Sequence, residues 1–224
     1  MLSFDTALER ILALAPSVFS HEVVSLDAAR GRVLAVDLVS GVDLPENDHS
    51  AMDGYAICVD DLRGEGPWAL DVRGESKTGV ASITLEPGTT CRIFTGAPIP
   101  LGANAVVMQE VVSRDGDRAT FTSRPAVGAH VRRRGEDMPK GSIAIAKGTR
   151  ITSRHLSMAA SLDRVWLDVT ARPRVTVIST GDEIRKPGTS AVPGTIPESV
   201  GPAIAQIARD SGAIVTQAPI VPDD

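Results

Sequence analysis

Between Met52 and Val131 the chain never sustains a helical repeat. It offers instead five short β-type runs, Gly54–Val59, Trp68–Val72, Thr90–Phe94, Ala105–Val111 and Arg118–Phe121, divided by Gly, Pro and Asp. β-branched residues suit a pleated backbone, and those turn residues reverse the chain by supplying positive φ or a fixed φ. Spacing of this kind predicts a small β barrel or sandwich. Aromatic residues make up only 3% of a chain that is 42% hydrophobic, so its cores must be built from Val, Ile, Leu and Ala, which again favours sheets.

The flanks read differently. Ser3 caps a run in which Leu8, Ile11, Leu12 and Ala15 fall at helical spacing, and Pro16 ends it. Glu22–Leu26 predicts a strand, Asp27–Gly31 a short helix stopped by glycine, and Val36–Val39 another strand. After a short Ile/Ala strand between Ser142 and Ala146, Thr152 or Ser153 can cap a helix through His155, Leu156, Met158, Ala159 and Leu162. Arg174–Ser179 is nearly continuous and β-branched, as a buried parallel strand reads. A Pro/Gly-rich connector from Lys186 to Pro197 leads to a helix capped by Ser199 and then to a strand at Ile214–Val215, completing one β-α-β unit. A single such unit is thin for an open α/β domain and predicts an exposed parallel edge.

These patterns predict a multidomain chain of mixed α+β and α/β class. A discontinuous linker domain would comprise 1–45 plus 139–170, with a β domain inserted at 46–138 and a partial α/β domain at 171–224. The formal net charge is −5, and the one cationic cluster, Arg132–Arg134, is short, so nucleic acid is not an expected partner. Cys58 and Cys91 have no metal-ligand spacing and are too few for a disulfide scaffold, which points to a reducing cytoplasm. No apolar run approaches the ~18 residues of a membrane span, and the start lacks a cleavable apolar leader, so neither membrane nor export is expected.

Four polar turns carry the candidate chemistry. Asp48-His49-Ser50-Ala51-Met52-Asp53-Gly54-Tyr55-Ala56 sets an acid and the chain's one tyrosine in a turn-prone run. Asp53 reads either as a simple Asp-Gly turn acid or as a site carboxylate. Phe94-Thr95-Gly96-Ala97-Pro98-Ile99-Pro100 places a hydroxyl beside a glycine amide, which suits an oxyanion, although a strand-ending turn explains Gly96 and Pro98 equally. Arg134-Gly135-Glu136-Asp137 sets both signs close together, as a solvated charge run also would. Ser179-Thr180-Gly181-Asp182-Glu183 follows a strand at its carboxyl end, where open α/β sheets bind ligands, and its carboxylate pair suits a hard cation such as Mg²⁺; Asp182 reads equally as a turn cap. The loop Gly74–Gly79 lacks P-loop spacing. His21, His49, His130 and His155 show no zinc spacing, and no nucleophile-base grouping emerges.

Taken in order, these four motifs resemble the molybdopterin molybdenumtransferase (MoeA) family, which has a eukaryotic relative in the gephyrin E domain. The resemblance runs along the whole chain and covers the front part of a family member. It implies the same inserted-domain arrangement and a function in molybdenum cofactor biosynthesis: Mg²⁺-assisted insertion of molybdate into adenylylated molybdopterin, with release of AMP. It implies catalytic roles for Asp53, Thr95, Asp137 and Glu183, and contacts to the pterin from Ser50, Gly54, Gly96, Thr180, Gly181 and Asp182. It also implies Mg²⁺ ligation by Asp182, Glu183 and Asp223, the last beginning an acidic element with Asp224. A homodimer, with other cofactor-biosynthesis proteins as partners, follows from the same resemblance. Thr195-Ile196-Pro197-Glu198-Ser199-Val200 departs from the family's tyrosine, aspartate and asparagine pattern. A non-catalytic pterin-binding or scaffold protein is the competing class, and an inactive fragment of a longer product is a third.

Overall fold

The structure, a computed structural model, describes residues 2–14 and 20–223. The expected helix stop at Ala15 and Pro16, and Asp224, lie outside the described residues. The α-helices are α1 (Phe4–Leu14), α2 (Ser153–Ser161) and α3 (Val200–Asp210). The first strands are β1 (His21–Ser25), β2 (Leu38–Val39), β3 (His49–Ser50), β4 (Gly54–Ile57), β5 (Trp68–Ser76), β6 (Thr89–Ile93), β7 (Ala105–Met108) and β8 (Val112–Asp115). Then come β9 (Arg118–Phe121), β10 (Val131–Arg132), β11 (Ile143–Ile145), β12 (Trp166–Thr170), β13 (Arg174–Val177), β14 (Ile184–Arg185), β15 (Ile196–Pro197) and β16 (Ile214–Gln217). The chain forms two compact units, Val39–Ala144 and the two flanks Met1–Leu38 and Ile145–Asp224.

The middle unit is built on a six-stranded sheet in the order β7-β4-β6-β5-β9-β8, antiparallel except where β5 runs parallel to β6. Side chains alternate along β4, so Tyr55 and Ile57 enter one cluster while Ala56 enters the other. The first cluster also takes Leu70, Val107, Ala119 and Phe121. Tyr55 and Phe121 meet edge to face at 6.2 Å although two strands separate β4 from β9, so the sheet curls until its two ends share a core. The expectation of a barrel or sandwich is thus refined to one curled sheet. Ala105–Val111 is shorter than expected, because a 3₁₀ turn at Gln109–Val111 interrupts it, and β8, absent from the sequence reading, forms a hairpin with β9 across Asp115-Gly116-Asp117.

In the flanking unit β1 pairs antiparallel with β12. Val33 and Leu34 lie between Arg150 and Val169, and Leu34, Ile151, Leu167 and Val169 are buried there. Asp27–Gly31 gives only a 3₁₀ turn, Leu26–Ala28. Thr152 takes the cap position of α2. Ser3 Oγ accepts the Thr6 N–H at 3.2 Å in the first turn of α1, none of whose residues is buried.

Two expectations for the last fifty residues are corrected. Arg174–Ser179 is not a buried strand: β13 pairs only with β16 among the described residues, Val177 alone is buried, and Ile178 is 59% exposed. One neighbouring strand and one helix cannot cover both faces. Ser199 does not cap α3 with its side chain. The Glu198 carboxylate accepts the Gly201 N–H instead and also the Ser179 hydroxyl at 3.2 Å, and an anion at a helix start is favoured by the exposed N–H groups. No helix among the described residues is long and apolar enough to cross a membrane.

Candidate functional site

In the middle unit the structure brings Ser50, Asp53, Gly54, Thr95 and Gly96 together. Asp53 Oδ1 accepts both donors of Thr95, the N–H at 2.7 Å and the hydroxyl at 2.8 Å. Those two bonds hold the Asp53 carboxyl below the ordinary carboxylate range against modest desolvation, and the Arg92 charge adds to the effect. Thr95 therefore organises Asp53 rather than offering its donors outward to an oxyanion, while Asp53 Oδ2 accepts no hydrogen bond among the described residues.

The loop around this carboxylate is locked from several sides. Ser50 is 1% exposed, and its hydroxyl donates to the Met52 carbonyl at 2.6 Å. The Ser50 backbone bonds Ala97 and Gly96, and Ala51 N–H reaches the His130 carbonyl. Gly54 is required by packing: a Cβ there would stand 2.0 Å from the Val107 carbonyl oxygen. The Asp-Gly pair is thus set by strand approach across β4 and β7 and not by turn chemistry alone.

Arg92 was not identified from the sequence. It donates to the Gly54 carbonyl at 2.9 Å and to Gln109, and its guanidinium lies over the rings of Tyr55 at 5.5 Å and Phe94 at 4.9 Å. The available signal was strand alternation, with buried Cys91 and Ile93 flanking Arg92 and directing it to the opposite face. Burial pushes the Cys91 thiol up to about 11, which leaves it protonated and unreactive.

Asp137 is held by Arg132, whose Nη2 donates to both carboxylate oxygens, at 2.6 and 2.7 Å. The adjacent arginines repeat the pattern: Arg133 pairs with Asp48 and Arg134 with Asp43, each at 2.7 Å. Asp43 is lowered by the Lys140 N–H and then by Arg134; at Asp48 burial pushes upward but the Arg134 N–H and the Arg133 side chain outweigh it. The three arginines read as a solvated charge run are therefore neutralised one by one. Arg132 also lies opposite His49 in the β3–β10 pair, beside Ser50, which ties this ladder to the Asp53 loop.

In the flanking unit Thr180, Gly181, Asp182, Glu183 and Asp223 share one turn. Thr180 bridges Val221, and Gly181 N–H donates to the Val221 carbonyl at 3.1 Å. Gly181 has φ +141°, and a Cβ would meet Glu183 Oε2 at 2.7 Å. Asp182 and Glu183 are exposed. Asp223 meets Asp182 through its backbone N–H, at 3.3 Å, which is a donor and not a ligand. No three His, Cys, Asp or Glu side chains among the described residues group as an ion site, so the expected three-carboxylate arrangement is not formed. The Asp182–Glu183 pair fits Mg²⁺ only in company with substrate oxygens, which that ion commonly uses beside one or two carboxylates.

Comparison with known proteins places this architecture. The chain is 40% identical over 205 residues to molybdopterin molybdenumtransferase 2 of Mycobacterium tuberculosis, covering 90% of this chain and 51% of that protein. It is 36% identical over 216 residues to the molybdopterin molybdenumtransferase of a Nostoc species, covering 93% and 49%. It thus spans about half the length of these curated relatives. The crystal structure of the molybdopterin biosynthesis MoeA protein from Pyrococcus horikosii superposes with a TM-score of 0.90 at 29% identity, over 100% of this chain and 58% of that one. Residues 2–162 match the family described as MoeA N-terminal region (domain I and II), and the chain belongs to that family.

Proposed function

We propose that this chain acts in molybdenum cofactor biosynthesis, in the insertion of molybdate into adenylylated molybdopterin with release of AMP. The observation that carries the reading is Asp53, a carboxylate with one oxygen fixed by both donors of Thr95 and the other left open on a loop that Gly54 and Ser50 hold rigid. Such a group is ionised at working pH and pre-oriented, so it can accept a hydrogen bond or proton from a ligand without reorganising. Gly96 lets a ligand approach the backbone closely, Gly54 seats β4 against β7, and Asp137 fixes the neighbouring strand through Arg132. Thr180 and Gly181 shape the second turn, where Asp182 and Glu183 would hold Mg²⁺ shared with substrate oxygens and Mg²⁺ would neutralise phosphate charge. Two free thiols suit a reducing cytoplasm.

The test is AMP release from adenylylated molybdopterin with molybdate and Mg²⁺. Asp53→Asn keeps an acceptor for Thr95 but removes the charge; it should lower turnover by about 100-fold with the fold intact. Turnover unchanged in Asp53→Asn and Glu183→Gln would overturn the reading.

A second reading is a scaffold that dimerises without turnover; α1 exposes Phe4, Ile11 and Leu12 at 79%, 65% and 63%, a face free for a partner under either reading. We assign this face to a homodimer contact under both readings. Ile11→Glu should shift sedimentation from dimer to monomer, and a wild-type chain that sediments only as monomer would remove the assignment. Pull-down of other cofactor-biosynthesis proteins with no AMP release would favour the scaffold.

A further inference from the structure

A cleft of about 310 Å³ within the flanking unit plays no part in the carboxylate turns, and its lining includes Arg30, Arg32, Arg150 and Arg172 with Asp210 as its one carboxylate. We propose that this cleft binds a phosphate-type dianion. Four arginines and one acid line it, in a chain whose formal net charge is −5, so cationic residues are locally concentrated.

The four arginines are not equivalent. Arg32 is 8% exposed; it pairs with Glu22 and donates to the Thr170 carbonyl at 2.8 Å, so its charge is already matched. Glu22 is held below its ordinary range first by that Arg32 bond, with the Arg172 N–H and the Arg172 charge adding, so Glu22 also offsets part of the Arg172 charge. Arg30, Arg150 and Arg172 form no ion pair among the described residues. Backbone pairing fixes where they stem from. Arg150 lies opposite Val33, Gly31 N–H donates to Ile151, and Thr170 N–H donates to Val33.

The opposite wall is the end of α3, whose negative pole would oppose an anion if its carbonyls were free. Three of them are engaged: Ser211 N–H and hydroxyl reach the Ile207 carbonyl, Gly212 N–H that of Arg209, and Ala213 N–H that of Ala208. Asp210 accepts the Gln206 amide at 2.8 Å. Arg30, Arg150 and Arg172 have no ion pair of their own and add like charge around a small cleft, and a tetrahedral dianion would offset that charge while accepting N–H bonds.

The test is calorimetric titration of the 224-residue chain with inorganic phosphate and with glycerol 3-phosphate at constant ionic strength. Both should bind. Arg150→Ala combined with Arg172→Ala should weaken binding by roughly tenfold or more, given the strength of charge-assisted hydrogen bonds. Asp210→Asn, which keeps an acceptor for Gln206, should tighten it, and Asp53→Asn should leave it unchanged. A preference for glycerol 3-phosphate assigns the site to a phosphate monoester, and a preference for inorganic phosphate assigns it to the free ion. No binding of either probe, or equal affinity in wild type, the arginine double variant and Asp210→Asn, overturns the proposal. These readouts do not depend on AMP release and stand or fall separately from the cofactor reading.

Discussion

The curled sheet of the middle unit and the β13–α3–β16 segment use similar aliphatic residues to opposite effect. In the sheet Ile57, Ile93, Val106 and Phe121 are fully buried, because six strands curl until the two ends face each other. Around α3, Ile204, Ile207 and Ile214 are about half exposed or more, at 48%, 66% and 51%, because two parallel strands and one helix leave faces uncovered. Burial depends less on how apolar a residue is than on whether enough neighbouring elements exist to close over it.

The sharpest way to break this contrast is Phe121→Ala, which opens a cavity between β4 and β9 and should cost about 4 kcal/mol in urea unfolding. A loss near zero would mean the sheet ends do not share a core. Gly54→Ala should follow at about 3 kcal/mol, since the new methyl must displace the β7 backbone.

Acid should act on the middle unit through its arginine ladder. Asp43 and Asp48 have lowered values in the folded chain, so their contribution is fully present above the ordinary carboxylate range and is lost as pH falls through the folded values. The Arg134 and Lys140 amides, which donate to these carboxylates, should lose hydrogen-exchange protection, measured against the intrinsic rate at each pH, below about pH 4. Thr95→Val removes one of two donors to Asp53 and should raise the Asp53 pKa toward its ordinary value, read by carboxyl NMR; an unmoved value would deny Thr95 its positioning role. Smallest of all, Ile207→Ser on the exposed face of α3 should change stability by less than about 0.5 kcal/mol.

The sequence made β4, β5, β6 and β9 legible as strands, because alternation and turn residues act locally, although the expected run Gly54–Val59 ends at Ile57 before a 3₁₀ turn and β5 runs on to Ser76. It also marked Asp53 and Thr95 as one candidate site, although it offered Thr95 to a ligand rather than to Asp53. Arg92 escaped notice since an arginine in a strand carries no motif, and Glu198 took the capping place given to Ser199 because a longer carboxylate reached the same N–H.

Where the chain turns in the middle unit and which turns carry carboxylates were settled by the sequence itself, since those choices depend on a few adjacent residues. Tertiary structure alone decided the curl that joins Tyr55 to Phe121, the partners of Arg133 and Arg134, and the open oxygen of Asp53. Arg133 and Asp48 are 85 residues apart and Arg134 and Asp43 are 91 apart, so no local pattern encodes which carboxylate meets which guanidinium. Any of the 28 acids satisfies a charge rule, and only the folded backbone brings a particular one within 2.7 Å.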